Sequence, residues 1–384
     1  MSKQDHILPN DIDRPTWADI DLNALLHNLG EVRKLLYPSQ RIMAVVKADA
    51  YGHGAVPVTK ELVRAGVVDF AVATLAEALT LRRAGIDENI LILGGCFPGQ
   101  EEVLLRESLM VALLDLATAE RLNDVAVRNR QSIRVHLKVD TGMGRVGFTP
   151  EQLRIALPRL KTMPGLIIQG LMSHFACADE QQSDVSAAQQ RLFADMIDLV
   201  RAGGINPVDI HLSNSAGISA RYCSGCTLVR PGIMLYGGLP GDDYASVLDL
   251  QPLLHLRTRI AQLRELPAGS GISYGHRFRA ERPIRMAVLP IGYADGYNRL
   301  LSNVGRAIVL GRMVPVIGRV CMDWTMVDVS SVPDVDVGDP VTLLGSSEGL
   351  VITADEMASQ LETISYEVFC RISARVPRRY LPPA

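Results

Sequence analysis

Between residues 42 and 230 the chain keeps repeating one pattern: a short apolar run, then a longer stretch of helical periodicity. The runs are Ile42–Lys47, Asp69–Ala73, Ile90–Leu93, Met110–Leu114, Ile133–Val139, Ile167–Met172, Val208–Leu212 and Thr227–Arg230. Helical segments lie between most of them, as in Val56–Ala65, Leu75–Ala84, Ala117–Arg128 and Ala187–Ala202. Runs that are apolar throughout read as strands covered on both faces, the state of parallel strands linked by helices. Eight such units over roughly 200 residues predict a (β/α)8 (TIM) barrel, a fold of typically about 250 residues.

After Gly241 the texture changes. Helical periodicity fades, and β-rich runs separated by Gly and Pro take over: Leu254–Leu263, Ile284–Ile291, Ala307–Leu310, Val314–Val320, Thr325–Val329 and Val341–Leu344. This predicts a second, mostly antiparallel β domain. The expected division of the 384 residues is a barrel over 14–240 and a β domain over 241–384. The alternating segment Trp17–Leu22 is expected to pair with the second domain.

Hydrophobic residues make up 48% of the chain, enough for large cores, and the formal net charge is -3. That charge gives no reason to expect nucleic acid or a membrane surface as partner. A small molecule or a second copy of the chain fits better. Met1–Pro15 is polar and acidic, without the apolar core of a secretory signal. No stretch is long and apolar enough to span a bilayer. Cys96, Cys177, Cys223, Cys226, Cys321 and Cys370 are scattered, and a lone Cys223-Ser-Gly-Cys226 falls short of a zinc ligand set. Reduced thiols, a cytoplasmic location and no metal are expected.

In a barrel of this kind, chemistry sits at the C-terminal ends of the strands. Strand one runs into Lys47, followed by a Gly52-His53-Gly54 turn. A charge at the tip of a buried strand is costly unless it has a task, and an amine in a dry pocket has a lowered pKa that suits a nucleophile or base. The alternative is a lysine that snorkels to solvent. Strand five leads to Lys138 and Arg145, strand six to His174, strand seven to Asn214 and Ser215, and strand eight to Arg230, Gly232 and Ile233. The last two loops offer a hydroxyl and backbone N–H groups of the kind that hold a phosphate. A lysine facing a phosphate cradle suits pyridoxal 5′-phosphate, whose carbonyl condenses with an amine. A phosphosugar substrate fits the same spacing.

The segments Val46–Gly54, Lys138–Arg145, Ser173–Ala176, Asn214–Gly217, Val229–Ile233, Ser273–Gly275, Ile291–Gly296, Cys321–Asp323 and Arg375–Arg378 occur in this order along nearly the whole chain. In sequence and spacing they resemble bacterial alanine racemase. The resemblance implies a homodimeric pyridoxal-phosphate isomerase with an N-terminal (β/α)8 barrel and a C-terminal β domain, supplying D-alanine for peptidoglycan and cell-wall biogenesis. Lys47 would carry the cofactor and act as base on the D face. Tyr274 of the partner protomer would be base on the L face. Arg230 would meet the pyridine nitrogen, and Arg145 the phenolic oxygen. Tyr51, Asn214, Ser215, Gly232, Ile233 and Tyr366 would surround the phosphate. His174 would link Arg230 to Tyr274. Met322 of the partner would offer its N–H to the substrate carboxylate, while Tyr293 and Tyr366 narrow the entrance. The lysine matching Lys138 is often carbamylated in this family.

Two bases on opposite faces of a planar intermediate racemise without moving the substrate. Lysine and tyrosine normally titrate near 10, so each needs lowering. Burial would do this for Lys47, and a cationic Arg230–His174 pair for Tyr274. Read alone, Tyr274 and Tyr293 serve as well for packing aromatics, and Met322 for core filler. Two features depart from the family pattern: a second glycine, Gly271, before Tyr274, and the Cys223–Cys226 insert. Other readings are a racemase of broader or serine specificity, a non-catalytic cofactor-binding barrel, and a decarboxylase. The decarboxylase should carry a carboxylate where this chain has Arg230.

Overall fold

The computed structural model describes residues 14–383 apart from 181, 182 and 224. The Met1–Pro15 leader segment therefore lies almost wholly outside the described residues. The chain forms two units. One comprises residues 26–235 and 239–250, the other the segments up to Leu25, 236–238 and from Gln251 onward.

The first unit is a barrel. Its strands are β2 (Arg41–Val45), β3 (Asp69–Val72), β4 (Asn89–Ile92), β5 (Met110–Leu113), β6 (Ile133–Lys138), β7 (Leu166–Met172), β8 (Asp209–His211) and β9 (Leu228–Val229), counting Thr16–Asp21 of the other unit as β1. Every pairing from β2 to β8 is parallel, and β9 returns to β2 with Arg41 opposite Leu228. β3 and β5 are buried at every residue, as strands covered by helices must be. Each strand lies within two residues of its expected bounds. The covering helices start at sequence-encoded caps. Thr74 and Glu77 form a reciprocal capping box, as do Thr149 and Gln152, and Asp115 caps the helix from Leu116.

The N-terminal end of the barrel is closed by charge. Arg41 reaches Asp69 at 2.6 Å and Asp209 at 2.5 Å, and both carboxylates are almost fully buried. Asn89 adds a bond to Asp69, Arg134 one to Asn89, and Gln169 one to Asp209. Burial pushes the Asp69 carboxyl above its usual range despite Arg41 and Asn89.

The second unit holds β1 between β10 (Leu254–Arg259, antiparallel) and β20 (Arg378–Leu381, parallel), so the N-terminal strand does belong to the β unit. The strand expected over 254–263 is two, β10 and β11 (Gln262–Leu266), in different sheets. β11 joins β14 (Ile284–Leu289) and β17 (Thr325–Asp328), while a hairpin of β12 (Gly271–Ile272) and β13 (Phe278–Arg279) presents Tyr274 at its tip. Ile272, Ile284, Met286, Ile317 and Met326 fill the core beneath it.

Cys223 and Cys226 are disulfide-bonded, with Cα atoms 5.4 Å apart, well inside bonding range. This corrects the expectation of six reduced thiols, and a bonded pair offers no thiolate to zinc. No helix among the described residues is long and apolar enough to cross a membrane.

Arg41→Leu leaves two buried carboxylates facing each other without their cation. We expect a loss of about 3 kcal/mol of barrel stability in urea unfolding; a loss below about 1 kcal/mol, the scale of a surface pair, would show that the plug does not hold the barrel.

Candidate active site

β2 stops at Val45, two residues short of Lys47. The reason lies in the backbone that follows. Ala48, Asp49, Ala50 and Tyr51 all adopt left-handed φ values between 52° and 54°. Each such residue costs about 1–2 kcal/mol relative to a right-handed turn. Local bonds hold the turn in place. Glu77 accepts the Ala48 N–H at 2.8 Å, Asp49 accepts the Ala55 N–H at 2.7 Å, and the Gly54 N–H reaches the Asp49 carbonyl at 2.9 Å. Gly52 and Gly54 continue at φ 81° and 94°, which only glycine adopts without strain. Buried His53 stays within the turn, its Nδ1 2.9 Å from the Ala50 carbonyl. The turn places Lys47 and Tyr51 at the barrel mouth.

Arg230 is buried there without a carboxylate among the described residues. It meets Nδ1 of His211 at 2.8 Å, the carbonyls of Ser173 and Leu212 at 2.7 and 3.1 Å, and Nδ1 of His174 at 3.2 Å. Burial and then Arg145 lower its guanidinium to about 10, so it stays charged at neutral pH. Lys138 is 5% exposed. Burial, then Arg230 and Arg145, bring its amine down to about 7. The one nearby carboxylate, Asp140, is engaged with the backbone, accepting the N–H groups of Gly142, Met143, Gly144 and Arg145. Burial alone would raise this carboxyl, and the four donors outweigh it and hold it below its usual range.

His174 is held well below its ordinary pKa by burial, then by Arg230, Lys138, Arg145 and Lys47. It is neutral. The expected cationic Arg–His pair is therefore one cation and one neutral ring. Since arginine only donates, His174 Nδ1 accepts and its proton sits on Nε2.

The phosphate side is built by close approach. The Gly232 N–H donates to Ser215 Oγ at 3.0 Å, and a Cβ at Gly232 would lie 2.5 Å from the Tyr51 hydroxyl. Glycine there lets the phenol reach the backbone. Asn214 uses Oδ1 to cap the Gly217 N–H, and Ile233 opens the turn through Tyr236. Excess buried cations beside a hydroxyl-lined glycine turn fit pyridoxal 5′-phosphate, a group that brings anionic oxygens and a carbonyl for an amine.

The remaining candidates lie in the β unit. Tyr274, Tyr293 and Met322 are 68%, 41% and 53% exposed, so none is core packing. They belong to one local assembly. Ser273 Oγ lies 3.3 Å from Cys321 Sγ, the Tyr293 N–H donates to the Cys321 carbonyl at 3.0 Å, and the Ala294 N–H to that of Met322 at 3.1 Å. Asp295, fully buried, accepts the Gly292 N–H and pairs with Arg14 and Arg375, and Arg375 also grips Asp323 at 2.7 Å. Tyr366 sits on the helix Ser365–Arg371. The second glycine has a local cause, since a Cβ at Gly271 would lie 2.4 Å from the His276 ring. Sequence reasoning missed Glu77 and His136, and it placed His211 at a polar strand end without giving it a role. His136 was visible only as a polar break in an apolar strand.

A family profile described as "Alanine racemase, N-terminal domain" matches residues 20–240, and "Alanine racemase, C-terminal domain" matches 253–380. Alanine racemase of Geobacter sulfurreducens is 46% identical over 375 residues, 97% of this chain and 98% of that protein. Alanine racemase of Halothermothrix orenii is 45% identical over 374 residues, 96% and 97% of the two chains. Among solved structures, alanine racemase from Streptomyces coelicolor superposes with a TM-score of 0.92 at 35% identity, over 97% of this chain and 100% of that one. That of Clostridium difficile gives 0.91 at 38% identity, over 96% of each.

The left-handed turn generates a stability test. Ala48 is exposed, so Ala48→Val changes no packing, yet a β-branched residue suits this φ poorly. We expect it to lower stability by about 1–2 kcal/mol in thermal unfolding while Ala48→Gly is neutral or better; equal melting of Val and Ala forms would remove the strain argument.

Proposed function

We propose how this chain, which belongs to the alanine racemase family and interconverts L- and D-alanine with pyridoxal 5′-phosphate, divides that reaction among its side chains. The observation that carries the reading is the charge at the barrel mouth: Arg230, buried without a carboxylate among the described residues, beside the buried Lys138 and Arg145. Bound pyridoxal phosphate supplies an electron-poor ring that accepts the electron pair left when the Cα proton departs.

In this reading Lys47 holds the cofactor through its amine and moves the proton on the D face. Tyr274 of a partner protomer moves it on the L face. Arg230 donates to the pyridine nitrogen and cannot give its proton away, so that nitrogen stays unprotonated. The ring is then a weaker electron sink, which limits side reactions such as transamination. The neutral His174 donates from Nε2 toward the Tyr274 oxygen, passing on the influence of the Arg230 charge. Arg145 and the Met322 N–H orient the substrate carboxylate. Tyr51, Asn214, Ser215, Gly232, Ile233 and Tyr366 bind the phosphate, and Tyr293 with Tyr366 restricts the entrance to a small side chain.

The exposed Tyr274, Met322 and Trp324 on the β unit support a homodimer with shared sites. We further infer a cytoplasmic enzyme whose D-alanine enters peptidoglycan.

The loaded protein incubated with L-alanine should give equal enantiomers by chiral chromatography, and Lys47→Ala should abolish both the product and the bound cofactor's colour. Tyr274→Phe should slow exchange of the L-alanine Cα proton with solvent deuterium on the order of 10²-fold or more, the scale of a lost general base, and exchange of the D-alanine proton less. Equal loss in both directions would count against two bases.

Lys138 carries a second expectation. With its amine at about 7, the uncharged form that adds carbon dioxide is well populated at neutral pH. Addition releases a proton and leaves a carbamate anion beside Arg145 and Arg230. Protein in ¹³C-bicarbonate at pH 8 should show a carbamate carbonyl resonance, absent in Lys138→Ala and fading as pH falls below about 7, where the amine protonates. A signal that persists in the variant would assign the carbamate elsewhere.

A further inference from the structure

We propose that His136 is a positioning residue for Arg230: with His211 it forms a one-way hydrogen-bond chain through the barrel interior, directed at Asp209, that fixes how the guanidinium is aimed. The proposal rests on the reading that Arg230 faces the cofactor's ring nitrogen.

The chain follows from strand registry. His136 and Lys138 on β6 lie on one face, as do Asp209 and His211 on β8. Across the sheet His136 lies opposite Gly170, Gly170 opposite Asp209, and Met172 opposite His211. Asp209, His136, His211 and Arg230 thus stack in layers from the closed end of the barrel to its mouth. His136 Nδ1 is 2.8 Å from His211 Nε2, and His211 Nδ1 is 2.8 Å from the Arg230 guanidinium. His136 Nε2 points to Asp209 at 3.8 Å.

Only one arrangement of protons satisfies these contacts. Arginine has no acceptor, so His211 Nδ1 must accept, and its proton lies on Nε2. His211 Nε2 then donates to His136 Nδ1, which places the His136 proton on Nε2, facing the Asp209 carboxylate. The two hydrogen bonds point the same way, away from the buried cation, and the first polarises the second; the His136 Nε2–H ends 3.8 Å from the Asp209 carboxylate, an electrostatic contact without a hydrogen bond. Both rings are fully buried and neutral. Burial and then Arg230 hold His211 well below its ordinary range and bring His136 to about 3.

The backbone is shaped around the His136 ring. The β6–β7 register slips between Val135 and His136, and a Cβ at Gly170 would lie 2.2 Å from His136 Nδ1. A mere space-filler would not need a glycine at its hydrogen-bonding atom. If His211 flipped to carry its proton on Nδ1, two donors would face each other at Arg230 and the guanidinium would turn away. His136, by accepting the His211 Nε2–H at its own Nδ1, prevents that flip.

The test begins without cofactor. In the apoprotein with ¹⁵N-labelled histidine at pH 7, both His136 and His211 should appear as neutral rings protonated on Nε2. A proton on Nδ1 of His211 overturns the proposal. His136→Leu and His136→Asn share their branching at Cγ, but only Asn keeps an acceptor near the Nδ1 position. We expect His136→Leu to lower kcat about tenfold, the rate equivalent of one buried donor left without its acceptor. KM should stay nearly unchanged, the bound cofactor's absorption band should shift, and more transamination product should form. His136→Asn should restore most of kcat and the band. Equal kcat and equal bands in the two variants would overturn the chain. If the Leu variant does not fold, the wild-type ¹⁵N spectrum still decides. Arg230→Leu separates the two claims. If it leaves the band unmoved, the placement of Arg230 at the ring nitrogen fails; if it moves the band while His136→Leu does not, only the His136 chain fails.

Discussion

A guanidinium buried without a carboxylate is an expensive thing to build, and Arg230 organises its surroundings accordingly. The histidines nearest to it stay neutral, because a second positive charge beside it would cost still more. Lys138 gives up most of its preference for the charged state for the same reason. Asp140, the one acid within reach, has its oxygens engaged by the loop from Gly142 to Arg145 and contributes little to the balance. The mouth is left short of negative charge. A ligand with a phosphate and a phenolic oxygen supplies what the chain withholds, so affinity for the cofactor and the electrostatic design of the site are one property.

The β unit solves a different problem, which is to hold exposed side chains still. Tyr274 and Met322 stand well out of their unit, where side chains normally sample several rotamers. Their backbones do not share that freedom. Ser273 and Cys321 meet side by side, the Tyr293 turn bonds both Cys321 and Met322, and Asp295 ties that turn through arginines to Asp323. Three sequence segments that carry no obvious chemistry, around Asp295, Asp323 and Arg375, act as one ionic brace anchored on the buried Asp295. The brace fixes where an exposed residue begins, which suits a residue meant to serve a neighbouring protomer.

The sequence revealed the barrel because strands covered on both faces are written as uninterrupted apolar runs, and little else gives that texture. It drew attention to Lys47, Arg230 and the glycine turns because charges and glycines at the ends of such runs need reasons. The left-handed turn after Lys47 was not legible, because Ala-Asp-Ala-Tyr contains no glycine to signal positive φ. Bonds from Glu77 and Asp49, set by tertiary placement, impose it. The β10–β11 division within 254–263 was hidden because both strands are β-formers and only their partners differ. The neutral state of His174 needed distances to Arg230 and Lys138, and so did the path from His136 to Arg230. The Cys223–Cys226 bond depends on how a turn brings two residues together, which spacing alone leaves open.

Strain and buried charge gather at the same end of the barrel, and the opposite end shows what they rest on. There Arg41 is shared between Asp69 and Asp209, giving the carboxylate partners that Arg230 lacks at the mouth. Between the two ends Phe70, Ala71 and Val72 of β3 and all four residues of β5 are buried and apolar, and burying a single Leu or Val contributes about 1.5–3 kcal/mol. Four residues held in left-handed φ at about 1–2 kcal/mol each are thus offset by a few well-packed side chains one layer below. An open helical or β-ribbon scaffold would relax such a turn. A closed barrel cannot, because moving β2 would break its pairing with both β3 and β9. Closure is what allows Lys47 and Arg230, each just past the end of one of two adjacent strands, to be kept in an arrangement that neither residue would adopt alone.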